Sequence, residues 1–239
     1  MNKINTILAA IGALLMLSVT SANSLEFKTG VTANAMGAYA NAKETLKDSG
    51  AVTSEEAILA TSFASVFVEI SSDEMMGLGL GVSYAPEVAD LNKETRAFDA
   101  TADDTITEAL PGGSAGTGDS GTTTVDGKIN DMLSIYLTLP VGDTGAYVKA
   151  GYIQATMVTE ESLATGSKYE NVDMTGAQLG GGYEGSLGDM AFWRAEGTYQ
   201  MWEDIDAKGS EAGGTTGSNN LIEVEIGSVT GSFSIGMRF

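Results

Sequence analysis

Gly118-Asp-Ser-Gly121 sets a serine between an acid and a glycine, the residue types found around a hydrolase nucleophile. Acyl transfer at Ser120 would need a base to take the hydroxyl proton, usually histidine. The chain has no histidine, so the stretch reads as part of a loop rich in Gly, Ser and Thr, and no catalytic residue or enzyme activity is expected. With cysteine absent as well, a transition metal lacks both its imidazole and its thiolate ligands, and no metal or cofactor is expected. The acids Asp99, Asp103, Asp104, Glu108, Asp119, Asp126 and Asp131 could attract calcium, but none shows the Asp-x-Asp-x-Asp-Gly spacing of an EF-hand loop. They read as a solvated acidic loop. Gly77-Leu-Gly-Leu-Gly81 lacks the spacing and the following helix of a dinucleotide fingerprint.

Five charges carry more weight. Lys149 and Arg194 each follow a tight turn by a few residues, Glu69 and Glu184 each precede one, and Glu196 stands two residues beyond Arg194. All five fall on the small-residue parity of alternating segments, so they point to one shared interior. Buried charges need partners. Lys149, Arg194, Glu196, Glu184 and Glu69 therefore form either a salt-bridged plug or the charged constriction of a narrow pore.

The elements that must hold these residues read as strands. Met76 to Tyr84 alternates large apolar with small residues, and Asp131 to Leu139 keeps leucine and isoleucine on one parity. Residues 145–156, 177–187 and 190–201 repeat the pattern more weakly. Period-2 alternation over about ten residues means two strand faces in different surroundings. Short connections at 71–74, 141–144 and 186–189 alternate with long polar ones at 41–56, 89–126, 159–173 and 203–220. This is the rhythm of an up-and-down barrel with tight turns at one rim and loops at the other. It predicts about eight strands, near 25–38, 61–71, 75–88, 128–140, 145–158, 174–187, 190–203 and 221–239.

Large apolar residues such as Phe27, Val31, Val66, Ile70, Leu80, Val82, Leu133, Ile135, Leu179 and Trp193 occupy one parity, and Lys28, Glu69, Lys149, Glu184, Arg194, Glu196 and Arg238 the other. Asp131, Glu203, Glu223 and Glu225 break the rule near the loop ends. A soluble sandwich would also keep charges off one face. Here the second parity is small (Gly77, Gly79, Gly81, Ser83, Gly180, Gly182), as a narrow lumen requires and a solvated face does not. Aromatics sort by height: Phe27, Tyr183, Trp193 and Phe239 near the turns, Tyr84, Tyr152 and Tyr199 near the loops, matching two interfacial girdles. Among soluble alternatives a secreted ligand-binding β protein stays open.

The 239 residues suit one domain, with 32 acidic against 12 basic side chains and a net charge of −20. Such a surface offers nucleic acid no partner. Lys3, the apolar stretch 7–19 and the small residues at 20–24 form a signal-peptide pattern, so residues 1–24 are expected to be a leader and 25–239 the barrel. An uncharged run from Ile4 to Leu25 could also span a bilayer as an anchor.

The final strand runs Phe233, Ile235, Met237 and Phe239 on one face, with Ser234, Gly236 and Arg238 on the other. A last strand of this form resembles the signal read by the outer-membrane assembly machinery. With Ala146–Ala155, Gly176–Leu187 and Phe192–Trp202, the chain resembles small eight-stranded outer-membrane barrels of the opacity, OmpX and OmpA-transmembrane type. The resemblance implies an all-β antiparallel transmembrane barrel in the outer membrane of a Gram-negative bacterium. It implies Phe233, Ile235, Met237 and Phe239 as an assembly signal, a monomer, and outer-membrane lipid, lipopolysaccharide and the assembly machinery as partners. The function expected is envelope structure or surface contact through acidic loops, with a narrow porin-like channel as the alternative.

Overall fold

The computed structural model describes residues 25–45, 52–72, 75–98, 121–162, 170–208 and 221–239. The expected leader over 1–24, residues 118–120 of the Gly118–Gly121 motif and the acids Asp99, Asp103, Asp104, Glu108 and Asp119 lie outside the described residues, as does the side chain of Asp126.

Nine strands form among the described residues: β1 (Leu25–Thr45), β2 (Val52–Ser72), β3 (Leu78–Phe98), β4 (Gly121–Pro140), β5 (Ala146–Ser162), β6 (Val172–Ser186), β7 (Ala191–Trp202), β8 (Ile205–Lys208) and β9 (Leu221–Arg238). Each of β1 to β6 pairs antiparallel with the next, β7 pairs with β9, and β9 closes on β1. The result is an all-β antiparallel up-and-down barrel of eight staves. The short β8 adds to the loop end of β9, resuming the line of β7 after a break at Glu203 and Asp204.

The staves are longer than the sequence suggested. The β1–β2 ladder continues to Thr45↔Val52, and β3 pairs with β4 out to Phe98↔Gly121, through stretches expected to be loop. Apolar alternation marks only the part of a strand in lipid, whereas backbone pairing continues on any extended chain that finds a partner. Twenty-one residues, as in β1 and β2, are about twice the 9–11 that cross a bilayer.

Two of the three turns occur where the sequence placed them; the first comes later than 71–74, since Ser71 and Ser72 still pair in β2. Met76 and Gly77 take positive φ (58° and 75°) between β2 and β3, so the Met76–Tyr84 stretch enters its strand only at Leu78. At 141–145, Val141 N donates to Ala146 O (2.8 Å) and Thr144 Oγ1 to Val141 O (3.0 Å). At 187–190, Leu187 N donates to Ala191 O (2.8 Å). Closure reaches the last residue. Phe27 N donates to Phe239 O (3.0 Å), Phe239 N returns a bond to Phe27 O (2.8 Å), and the two rings lie 6.3 Å apart.

Asp131 is the exception among the apolar positions that the structure explains. It has φ 56° in a bulge where β4 carries an extra residue against β5 between Asn130 and Leu133. Its carboxylate accepts the Tyr84 hydroxyl at 2.5 Å. The bulge switches facing, so Ile129 packs into the lumen although Met132, three residues on, does so too.

The lumen ion-pair cluster

Strand alternation sends the five predicted charges into the lumen, and the structure brings all of them together. Arg194 on β7 grips Glu69 on β2 with a two-pronged contact, Nη1 to Oε2 at 2.9 Å and Nη2 to Oε1 at 3.0 Å. Its Nη2 also donates to Glu184 Oε2 at 2.7 Å. Lys149 Nζ donates to Glu196 Oε1 (2.7 Å), and the Tyr147 hydroxyl donates to the other oxygen of that carboxylate (2.6 Å). Three further members emerge. Lys28 reaches Glu184 (3.1 Å) and Glu26 (3.2 Å), while Arg238 spans Glu184 (3.5 Å) and Glu26 (3.6 Å). Lys28, Lys149, Arg194 and Arg238 thus face Glu26, Glu69, Glu184 and Glu196, a neutral set. Arg194 and Glu69 are almost fully buried, at 3% and 1% exposure.

Aromatic rings frame these charges. Arg194 lies over Tyr147 (5.1 Å), Phe67 (5.3 Å) and Phe192 (5.5 Å), and Lys149 lies over Tyr136 (4.0 Å). A desolvated cation over a ring gains about 2 kcal/mol or more. The inward glycines leave space for the rings. A Cβ on Gly30 would meet Phe67, one on Gly81 Tyr136, one on Gly182 Tyr147, and one on Gly236 Phe192. Phe67, Tyr136, Tyr147 and Phe192 were not singled out from sequence. Three precede a cluster charge by two residues, in Phe67-x-Glu69, Tyr147-x-Lys149 and Phe192-x-Arg194. That spacing puts ring and charge on one strand face and was the available signal.

The outer face is its complement. Val31, Val66, Leu137, Val148, Leu179, Val229, Phe233, Ile235 and Met237 stand exposed around the wall. Ile70, Val82 and Leu133 keep the outward parity but are covered by Leu25, Phe27, Val68 and Leu80 packed beside them. Tyr183, Trp193 and Phe233 stack in sequence near the turns, at 5.7 and 6.2 Å. Tyr39, Tyr152 and Tyr199 are exposed toward the loops. From Phe27 to Tyr39 along β1, twelve residues span about 40 Å of strand, or about 28 Å once tilted ~45°. That matches the apolar band of ~25 Å expected of such barrels. The exposed acids Glu55, Glu56, Glu223 and Glu225 stand beyond Tyr39, where a charge no longer faces hydrocarbon. This is an outer-membrane β-barrel.

No family model matches the sequence, and no curated protein does. Solved structures do resemble this outer-membrane barrel. The outer membrane protein OprG of Pseudomonas aeruginosa is 12% identical, with 90% of this chain and 96% of that one covered and a TM-score of 0.49. The outer membrane protease OmpT of Escherichia coli is 9% identical, with 90% and 97% covered and a TM-score of 0.44. The attachment invasion locus protein Ail of Yersinia pestis is 12% identical, with 88% and 99% covered and a TM-score of 0.38.

Along its axis the outer-membrane barrel has distinct levels. A vestibule of about 330 Å³ opens on the turn side, lined by Lys28, Glu184, Arg194 and Arg238 with the 140–146 turn. The ion-pair cluster follows. Above it lies a polar cavity of about 50 Å³, room for very few waters, where Ser232 donates to Asn34 Oδ1 (2.7 Å), Ser228 to Gln200 Oε1 (2.7 Å), and Gln178 to Ser134. Toward the loops, Met36, Ala85, Val88, Met132 and Ala155 close together, with Phe63, Ile129 and Trp202 against them.

Proposed function

We propose that the protein is a non-enzymatic, non-conducting barrel that anchors acidic loops at the cell surface, serving envelope structure or surface contact. The sealed axis supports this reading, above all Arg194 bridging Glu69 and Glu184 across the lumen. A hydrated ion would have to part that neutral, ring-clamped set and then cross an apolar layer. Buried pairs of this kind hold tightly once formed, because parting them leaves bare charges in a poor solvent. Surface contact falls to the loop side, where the staves rise past the tyrosine girdle with Glu55, Glu56, Glu223 and Glu225 exposed. The purified protein in a planar bilayer is expected to show no conductance steps. Steady unitary conductance would overturn the reading.

The turn-side vestibule is the observation that favours a narrow channel instead. Arg194→Ala separates the two. A plug loses thermal stability and gains at most a small conductance. A channel keeps its stability and shifts toward cations, because a positive charge has left the constriction.

A further inference from the structure

The barrel wall is not equally joined all round. Strand β2 pairs with β3 only from Ser72↔Leu78 to Val66↔Tyr84. Above that rung, β2 continues for fourteen residues against β1 alone, and β3 continues to Phe98 against β4 alone. Among the described residues no ladder joins Val52–Ser65 to Ala85–Phe98. A side-chain bond crosses the gap from Thr61 Oγ1 to Val88 O at 2.9 Å. Pro86, two residues past the last rung, has no N–H to give, and Val88 is the extra residue of a bulge between Glu87 and Ala89. Proline and bulges within sheets mark edges.

This gap begins inside the apolar band. Val66 lies opposite Val31, whereas the girdle rung is Tyr39↔Ile58, eight residues higher on β2. An open sheet edge in hydrocarbon leaves amide groups without partners, at several kcal/mol each. Directly inside it stands the apolar layer, with Phe63 from one edge and Ala85 and Val88 from the other packed on Met36, Met132, Ala155 and Trp202. A break in the wall that met only a polar lumen would have no apolar molecule to receive.

We infer that the β2–β3 gap is a lateral passage by which a slim, uncharged alkyl chain passes between the bilayer and this apolar layer. The occupant follows from place and charge. The gap's lower end is bordered by exposed Val66 and Ala64, so what reaches it is alkyl. Glu87 and Asp90 are exposed on the β3 edge above it and repel anionic heads. The layer is packed shut, and the lumen's polar cavity is too small for a chain, so Met36 and Met132 must move aside, as flexible methionines do. This passage runs through the wall and is independent of whether the axis conducts ions.

The protein holds two tryptophans, and Trp202 packs on the apolar layer while Trp193 sits in the outer girdle. In a Trp193→Phe variant reconstituted in phosphatidylcholine vesicles, Trp202 alone emits. 1-Bromododecane should quench it saturably at equimolar levels, and unbrominated dodecane should restore the emission. Vesicles of dibrominated phosphatidylcholine with the same bromine content should quench far less. Val88→Phe, which fills the passage, should abolish the saturable part, with folding checked by heat-modifiable migration. Dodecane competition tests the same claim without a core substitution. Quenching by bromododecane that never saturates, or that dodecane does not reverse, would overturn the inference.

Discussion

Arg194 holds two carboxylates at once and is walled by three rings, so no other side chain can take its place in the lumen. Arg194→Ala takes from Glu69 its two-pronged partner, leaves Glu184 to Lys28 and Arg238, and is expected to lower the unfolding temperature in detergent. Breaking a buried pair costs about 3–5 kcal/mol, less whatever lumen water restores. Arg194→Lys keeps the charge but loses the fork that meets Glu69 with two bonds, so it should recover only part of the loss. Melting curves of the three proteins check the order wild type, Lys, Ala. Gly81 marks the opposite need, space rather than contact. Its missing Cβ is where the Tyr136 ring lies, and Gly81→Val should destabilise by about 1–3 kcal/mol through overpacking. A chemical-denaturation midpoint unchanged from wild type would show that the ring has room to spare.

Each strand of the wall carries two messages, one for lipid and one for its neighbours. The lipid message can be tested at mid-strand. Ile135→Arg and Leu179→Arg, both on the exposed apolar face, should each cost roughly 2–4 kcal/mol of membrane folding stability. Refolding titrations into vesicles would read this, with Val148→Ile as a neutral control on the same face. At the end of β9, removing Phe239 deletes both backbone bonds to Phe27 and a ring of the girdle, and Phe239→Asp places a charge there. Both changes should lower the amount assembled at the surface more than the melting temperature of what does assemble. The lipid message was legible in sequence because alternation between Leu80, Val82 and Gly79, Gly81 has no other cheap explanation. The inward charges were legible for the same reason, since parity alone placed Glu69, Lys149, Glu184, Arg194 and Glu196 on one interior. What parity could not convey was height. Lys43, Glu55 and Glu56 look like loop residues, yet they lie on paired strands, because a ladder above the bilayer needs no apolar side chain. Nor could it show that β2 and β3 part company at Val66 and Tyr84, since Pro86 hints at an edge without saying which neighbour is lost.

For the whole molecule, the arrangement of charge is as informative as the fold. The lumen cluster sums to zero, so the surplus of −20 over the full chain lies elsewhere. Among the described residues outside the cluster, acids gather on the loop side: Glu55, Glu56, Glu87, Asp90, Asp131, Glu170, Asp173, Glu203, Asp204, Asp206, Glu223 and Glu225, with only Asp143 and Asp189 at the turns. The barrel is thus neutral through its bilayer depth and strongly anionic on one side. The lipid band lets two copies touch, while their outer rims repel over a Debye length of about 10 Å at 0.1 M salt. Neighbours are therefore kept apart by their tops rather than by their flanks. Energy transfer between differently labelled copies in a supported bilayer should rise on going from 10 mM to 0.5 M salt, with no change at any concentration if flank contacts set the spacing. In a crowded membrane such a protein behaves as a spacer, whose distance to the next copy is adjusted by the ions above it.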